Sequence, residues 1–401
     1  RRHTRSPLGS RGLGDVYKRQ GLDIEMPFRQ QRAMSLADAL DDGRLDEADV
    51  DRSVVRIVAT LLRYQPVVEA VPDRSLVNCV PHRALAREVA AATAVLLRNE
   101  GGPLLPVDPA TIERLVVVGR LADVANLGDG GSSDVKSTTV VTPLEGLTAA
   151  FSDAEVQHVG DLDDEHARQA VAAADLVVVG AGYTTRDEGE YIDNAGTMAL
   201  AGDLFPPMDH PELGFAPRGD AGTTAPIESE ATGGADDGHA VEEADGEIGG
   251  MAPGGDRVSL RLSEADEAMI ASVADLSDSV VVAVQCGSAV MMPWAESVAA
   301  VLVSWYAGIE GGNALADVIV GAAEPGGRLP FAIPARADDL VPFDKDATAV
   351  VYDLLHGQWR LDADGNSPQF PFGAGRGFTT FDVGEVTLND GAARATVDVA
   401  N

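Results

Sequence analysis

Two glutamates lie two positions apart in a polar stretch that directly follows a run of valines. The stretch reads Tyr183-Thr-Thr-Arg-Asp-Glu-Gly-Glu-Tyr191, and the apolar run before it covers residues 176–180. Carboxyl groups on a loop after a strand can donate and accept protons when their pKa is raised into the working range. Glu190 and Glu188 are candidates for such acid/base chemistry. The alternative is that both are solvated loop carboxylates without a chemical role.

Two charged neighbours would act on these carboxyl groups in opposite directions. Arg186 would lower the pKa of a nearby carboxyl group, and Asp187 would raise it. Because the balance depends on distances in the folded chain, the sequence leaves it open.

Four short apolar runs predict buried strands. Runs that are apolar throughout are typical of parallel strands covered on both faces. In this sequence they cover residues 115–119, 176–180, 280–284 and 300–304.

Helical periodicity occurs between and before these runs. It covers residues 35–64, 82–99, 165–174, 263–276 and 312–320. Pro66 should end the first pattern, and Gly101-Gly102 should cap the second. The alternation of strands and helices predicts an α/β fold, a mostly parallel sheet sandwiched by helices. A ligand site in such a fold lies at the carboxyl ends of the strands.

Residues 193–256 break this alternation. Gly, Ala, Pro, Asp and Glu dominate there, and Arg218 is the only arginine or lysine. A compact domain rarely holds so long a loop, and this composition cannot bury a core of its own. The segment is expected to be a disordered or loosely ordered acidic insertion.

The two ends of the chain differ from its middle. Residues 1–20 are basic and lack the apolar centre of a signal peptide. They resemble translated sequencing-library DNA, so a disordered assembly artefact is expected, with a natural basic tail as the alternative. If residues 1–20 are an artefact, the true N-terminus of the protein is missing. The sequence therefore predicts no cellular compartment for the protein. Residues 384–401 alternate apolar and polar positions, as at the start of an all-β domain.

Composition narrows the classes of partner. The formal net charge of −34 argues against nucleic-acid binding, because phosphates would be repelled. Apolar runs of about 18 residues, which a membrane-spanning helix needs, do not occur. Cys79 and Cys286 each lie in an apolar stretch and are expected to be free thiols. The sequence implies no metal and no organic cofactor.

Several segments between residues 21 and 390 resemble, in the same order and spacing, glycoside hydrolase family 3, a family of β-glucosidase-type enzymes. They are Gly21-Leu-Asp-Ile-Glu-Met-Pro27, residues 82–89, 95–106 and 126–134, Trp305-Tyr-Ala-Gly-Ile-Glu-Gly-Gly-Asn-Ala-Leu-Ala-Asp317, Pro325-Gly-Gly-Arg-Leu-Pro330 and residues 370–381. The resemblance implies that residues 21–80 are the end of a TIM barrel domain and a linker. It further implies that residues 81–383 are the family's α/β sandwich and 384–401 the start of a fibronectin III-like domain.

The resemblance also implies a reaction, the hydrolysis of terminal β-linked sugars with retention, with β-glucosides or oligosaccharides as substrates. Such enzymes use two carboxyl groups about 5–5.5 Å apart, one as nucleophile and one as acid/base. The family's nucleophile is a barrel aspartate just upstream of the match at Gly21, and no residue of this sequence corresponds to it. The missing barrel domain is therefore an expected partner, and the chain alone is expected to be inactive.

Counted from the end of the apolar run, Glu190 falls at the position of the family's acid/base, and Glu188 is the second choice. In the short form of the family an Asp-Arg pair follows the acid/base within a few residues. Here the corresponding pair, Asp256-Arg257, comes only after the long insertion. This departure leaves open whether the insertion covers the sugar site.

The glycine-rich stretch 128–134 has two interpretations. The resemblance suggests that Asp129, Ser132 and Ser133 line a sugar cleft, together with Arg186. A structural turn rich in left-handed backbone is the alternative. Phosphate binding is disfavoured because no Gly-Lys-Ser/Thr follows.

Two other functions compete with that of a glycosidase. A non-catalytic sugar-binding or scaffold module would be naturally of this length. A nucleotide-binding domain would need a G-x-G-x-x-G after the first strand, which Gly119-Arg-Leu-Ala-Asp123 does not provide. Trp305 follows an apolar run, which favours core packing over sugar stacking. Asp317 is expected in a salt bridge or helix cap.

Overall fold

The computed structural model describes residues 23–24, 31–100, 104–128, 137, 139–188, 257, 259–341, 347–349, 351, 353–388 and 395–400, with the backbone alone at 31–35, 388 and 395. These residues belong to two compact units, which divide between residues 74 and 75. The first unit is helical, and the second contains the sheet.

The first unit contains α1 (Gln31–Asp41) and α2 (Glu47–Val68). The helical pattern predicted over residues 35–64 is confirmed. The expected stop at Pro66 is wrong, because α2 continues to Val68. Proline lacks an N–H donor and crowds the preceding turn. In the last turn of a helix this disturbs little further hydrogen bonding, so the helix ends two residues later than expected.

The second unit is built on a six-stranded sheet in the order β1-β6-β5-β4-β2-β3. Strand β1 pairs antiparallel with β6, and the other neighbours are parallel. The predicted mostly parallel sheet is confirmed. The strands are β1 (Val95–Asn99), β2 (Arg114–Val118), β3 (Glu155–Val159), β4 (Leu176–Gly182), β5 (Val280–Gln285) and β6 (Ala300–Val303).

Alternate residues of the central strands enter two separate cores. Val116 and Val177 belong to the cluster on one face, whereas Val117 and Val178 belong to the cluster on the other. All seven residues of β4 are buried. Since both faces exclude water, each central strand is apolar along its whole length, which is why the sequence pattern identified it.

Helices cover both faces of the sheet. One core includes residues of α5 (Glu165–Ala173) and α7 (Glu264–Leu276), and the other includes residues of α3 (Val80–Thr93), α4 (Pro143–Ala150) and α8 (Gly311–Ile319). Arg87 of α3 forms a two-bonded ion pair with Asp317 of α8, with N–O distances of 2.5 and 2.6 Å. The salt bridge expected for Asp317 is thereby confirmed.

The structure corrects two predicted elements of this unit. The helix expected over residues 82–99 ends at Thr93, and Leu96 lies instead in β1, opposite Leu302 of β6. Leu85 and Val89 of that helix are exposed. Strand β3 was not predicted, because this edge strand carries Glu155, Gln157 and His158 and shows no continuous apolar run.

The described residues of the C-terminal part of the unit form one further α-helix and four short strands. They are α9 (Gln358–Asp364), β7 (Asp382–Val383), β8 (Thr387–Leu388), β9 (Ala395–Thr396) and β10 (Val399–Ala400). Strands β7 and β10 pair antiparallel, and so do β8 and β9. Within the predicted alternation, residues 387–388, 395–396 and 399–400 thus lie in paired strands.

A tight contact between α4 and α8 depends on glycine at residue 312. A Cβ atom there would overlap the Thr142 carbonyl oxygen, which is backbone and cannot move aside. We expect Gly312→Ala to lower the free energy of unfolding by about 3 kcal/mol, the upper part of the range for overpacking. Urea unfolding monitored by circular dichroism checks this value. Gly160→Ala is the matched control, since a Cβ there meets nothing within 4 Å.

Within the described residues, helices fall short of the length and apolar character that a bilayer crossing requires. The longest of them, α2, contains two acidic residues in its first turn.

Candidate active site at the carboxyl edge of the sheet

Four parallel strands, β2, β4, β5 and β6, end at the same edge of the sheet. The segments that follow them carry polar side chains that meet there. This is the edge at which α/β sheets bind ligands, and it is where the sequence predicted a site.

The segment after β4 is a single helical turn, α6 (Thr185–Glu188). The carboxylate of Asp187 accepts hydrogen bonds from the backbone N–H and the hydroxyl of Thr184, at 2.9 and 3.1 Å. The Thr184 hydroxyl in turn accepts one from the N–H of Arg186 at 3.3 Å. These bonds satisfy the free N–H groups that begin a helix and hold the turn in place.

Glu188 ends this turn, and each of its carboxylate oxygens has two partners. Oε1 accepts a hydrogen bond from the Ser288 hydroxyl at 2.7 Å and lies 3.1 Å from Nε of Arg257. Oε2 accepts hydrogen bonds from the Gly287 N–H and the Tyr306 hydroxyl, both at 2.7 Å. The Glu188 side chain is only 9% exposed. The carboxylate is thus bound by three hydrogen-bond donors and one ionic partner, largely shielded from solvent.

Arg257 is held from several sides. Its guanidinium lies 4.3 Å from the centre of the Tyr183 ring, a cation–π contact. Nη2 donates to the Ser288 hydroxyl and, at 3.0 Å, to the Ala289 carbonyl oxygen. Nη1 is buried and has no hydrogen-bond partner among the described residues. With a side chain 11% exposed, Arg257 supplies a buried positive charge beside Glu188.

Burial and the Glu188 charge together suppress ionisation of neighbouring groups. Burial raises the pKa of Tyr306, and its hydrogen bond to Glu188 raises that pKa further. Burial also raises the pKa of the Cys286 thiol to about 12, with a contribution from Glu188. Tyr306 is therefore held as a neutral hydroxyl that donates to Glu188.

The pKa of Cys286 predicts its reactivity. At pH 8 only about one Cys286 in ten thousand would be a thiolate, and the side chain is also buried. Cys79 is half-buried and serves as the internal control. We expect a disulfide reagent such as Ellman's reagent to modify Cys79 in the native protein and both cysteines after denaturation. Equal native rates for the two thiols would contradict this assignment.

Asn126 connects the segment after β2 with the ends of β4 and β5. Its Nδ2 donates to the Tyr183 carbonyl oxygen at 2.8 Å and to Oε1 of Gln285 at 3.1 Å. Gln285 donates in turn to the Leu121 carbonyl oxygen at 3.0 Å. The loop that leads toward the glycine-rich stretch is thus fixed to the sheet edge at Asn126.

An open cleft lies at the same edge, beside β5 and β6, and Asn126, Gln285 and Trp305 are among its lining residues. Glu188 is not among them. Trp305 has a left-handed backbone (φ 58°), donates its indole N–H to the Thr93 carbonyl oxygen at 3.0 Å and meets Phe331 edge-on. Trp305 thus packs against the core with part of its ring and also borders the cleft.

A second buried carboxylate, Asp266 of α7, supports the end of β4. Arg120 donates to the Gly182 carbonyl oxygen at 2.7 Å and lies 3.4 Å from Asp266. Arg120 is also 3.9 Å from Asp187. Burial raises the pKa of Asp266 above its ordinary value of 3.8, and Arg120 partly offsets this.

The raised pKa of Asp266 has a definite consequence for stability. The folded state binds the Asp266 proton more tightly than the unfolded state does, so this contribution is complete below about pH 4 and is lost as the pH rises through the folded pKa. We expect the free energy of unfolding of the wild type, minus that of Asp266→Asn, to fall between pH 4 and pH 7. Urea unfolding at both pH values measures it, and a difference that rises with pH would contradict the burial effect. The other titrating groups are shared by the two proteins, so their contributions cancel in the difference.

The predicted site residues divide into two groups. Glu188 is described and is brought together with Arg257, and Arg186 is an exposed residue of α6. Glu190, Asp129, Ser132, Ser133 and Asp256 lie outside the described residues. Gly287 and Ser288 were not predicted, and their only signal in the sequence is their position shortly after the apolar run 280–284.

Comparisons with known proteins agree with this architecture. Residues 94–206 and 221–378 match the glycosyl hydrolase family 3 C-terminal domain. The chain is 30% identical over 342 residues to the β-glucosidase BoGH3A of Bacteroides ovatus, covering 80% of this chain and 40% of that protein. It is 28% identical over 494 residues to a β-glucosidase of Rhizobium radiobacter, covering 95% and 59%.

Solved structures share the fold. The family 3 β-glucosidase of Bifidobacterium adolescentis has a TM-score of 0.66 at 22% identity, covering 96% of this chain and 49% of that one. The Kluyveromyces marxianus β-glucosidase, solved with glucose, has a TM-score of 0.67 at 16% identity, covering 94% and 59%. The chain thus spans about half the length of the proteins that it matches. The match over more than half of its residues shows that this chain belongs to glycosyl hydrolase family 3 and carries the C-terminal domain of that family.

Proposed function

We propose that this chain supplies the acid/base half of a retaining β-glucosidase site. The observation that carries the proposal is the turn α6, which follows β4 at the carboxyl edge of a family 3 domain and leads directly into Glu190. The relatives that it matches are named β-glucosidases. Glucosides with a β-linked terminal sugar are therefore the proposed substrates.

Glu190 is the proposed acid/base, and Glu188 the second choice. The contacts of Glu188 support this order. A general acid must present a proton to the leaving oxygen. Both carboxylate oxygens of Glu188 instead accept hydrogen bonds from donors within this chain. Glu188 could act as the acid only by giving up several of these contacts.

The second carboxylate is proposed to come from a barrel domain, since no residue of this sequence matches the family's nucleophile. Residues 21–80 would be the end of that domain and its linker. Exposed apolar side chains on α2 support a neighbouring domain, because large apolar patches usually mark interaction surfaces. They include Val54, Val58 and Leu61. Residues 384–401 are proposed to begin a fibronectin III-like domain.

Hydrolysis of p-nitrophenyl β-glucoside tests the proposal. The chain is assayed alone and joined, ahead of residue 21, to a family 3 barrel domain that carries the nucleophile. We expect turnover only from the joined protein. Turnover by the chain alone would mean that one of its own carboxylates is the nucleophile. Binding of glucose without turnover in either form would favour a non-catalytic sugar-binding module.

A further inference from the structure

Glu188 and Arg257 flank residues 189–256 in the sequence, yet their side chains meet. Nε of Arg257 lies 3.1 Å from Oε1 of Glu188, and both side chains are nearly buried. Glu188 and Arg257, which residues 189–256 separate in the sequence, are therefore brought together at one place on the sheet edge.

The partners of this pair lie in the segments that follow two central strands. Gly287 and Ser288 come two and three residues after the end of β5, and Tyr306 comes three residues after the end of β6. Together they donate three of the four contacts to the Glu188 carboxylate. A Cβ atom at Gly287 would lie 3.1 Å from the Tyr306 ring and 3.3 Å from Oε2 of Glu188. The groups around the Glu188 carboxylate are therefore closely packed.

We infer that Glu188, Arg257 and Tyr306 form an anchor that positions the acid/base for the reaction. Glu188 fixes the chain two residues before Glu190, and Arg257 fixes it where the acidic segment ends. Tyr306 acts through Glu188 and is a positioning residue. This role rests on the proposed function. The anchor itself, a joint between α6, Arg257 and the ends of β5 and β6, stands on the contacts alone.

Tyr306→Phe tests the anchor on the full chain, because it removes one donor and keeps the ring. Hydrogen–deuterium exchange is measured for residues 185–188 and 286–289. Loss of a hydrogen bond to a charged group should speed exchange in both stretches by about tenfold. Tyr64→Phe is the matched control, since Tyr64 is exposed on α2. Unchanged exchange in Tyr306→Phe would overturn the anchor.

Positioning is tested separately in the barrel-joined enzyme. Tyr306→Phe should lower kcat for p-nitrophenyl β-glucoside about tenfold and leave KM within about twofold, because displacement of a catalytic group affects the chemical step. Faster exchange with unchanged kcat would overturn the positioning role. If the barrel-joined enzyme without substitutions is inactive, the proposed function fails, and the positioning role that rests on it fails too. The hydrogen–deuterium exchange result still decides whether the anchor exists.

Discussion

Glu190→Gln is expected to lower kcat/KM for β-glucosides with poor leaving groups by about 10²–10⁴, the usual contribution of a general acid. Glutamine has nearly the same shape but no proton to give to the departing oxygen. Substrates with an activated leaving group, such as 2,4-dinitrophenyl β-glucoside, need little protonation and should lose far less in the bond-breaking step. The measurement compares kcat/KM for phenyl and dinitrophenyl glucosides in the barrel-joined enzyme.

Glu188→Gln is the matched control for this experiment. It makes the same change two residues earlier and removes the charge that holds Arg257. We expect a loss that is similar for all leaving groups, because the anchor is weakened but the acid remains. If the dependence on leaving group appears in Glu188→Gln and not in Glu190→Gln, the two roles must be exchanged.

Arg257→Leu is expected to lower the free energy of unfolding by about 3–5 kcal/mol, because removing one member of a buried ion pair leaves the other charge desolvated. The substitution leaves the Glu188 carboxylate, with a side chain 9% exposed, without its ionic partner. It also removes the contact with the Tyr183 ring. Urea unfolding at pH 7 measures the change.

The double variant Glu188→Gln, Arg257→Leu separates the charge effect from lost packing. A neutral amide in place of the Glu188 carboxylate leaves no buried charge, so the double variant should be more stable than Arg257→Leu alone. If the two residues were independent, the losses in free energy of unfolding of the two single variants would sum to the loss of the double variant. That result would show that Glu188 and Arg257 are not coupled.

The core strands could be predicted from the sequence because burial on both faces leaves an unmistakable apolar run, as in residues 176–180. Strand β3 could not, since an edge strand tolerates Glu155 and His158. The helix predicted to residue 99 failed because Val95, Leu96 and Leu97 satisfy a helical and a strand pattern alike. Only pairing with β6 decides between them.

The site was partly predictable for a related reason. A carboxyl-bearing loop after β4 could be found, because strand ends in a parallel sheet are ligand sites. The grouping of Glu188 with Tyr306 could not, because 118 positions separate them in sequence. The donor at Gly287 is a backbone N–H, which side-chain identity does not reveal. Such contacts follow from strand order, which the local pattern does not contain.

The most direct test of the account is azide rescue of Glu190→Gln in the barrel-joined enzyme, with 2,4-dinitrophenyl β-glucoside as substrate. In a retaining enzyme that has lost its acid/base, azide needs no base to attack the glycosyl-enzyme intermediate. The account predicts faster turnover with azide and a β-glucosyl azide product, identified by nuclear magnetic resonance. An α-glucosyl azide, or no rescue at Glu190 in an otherwise active enzyme, would contradict the assignment of Glu190 as the acid/base.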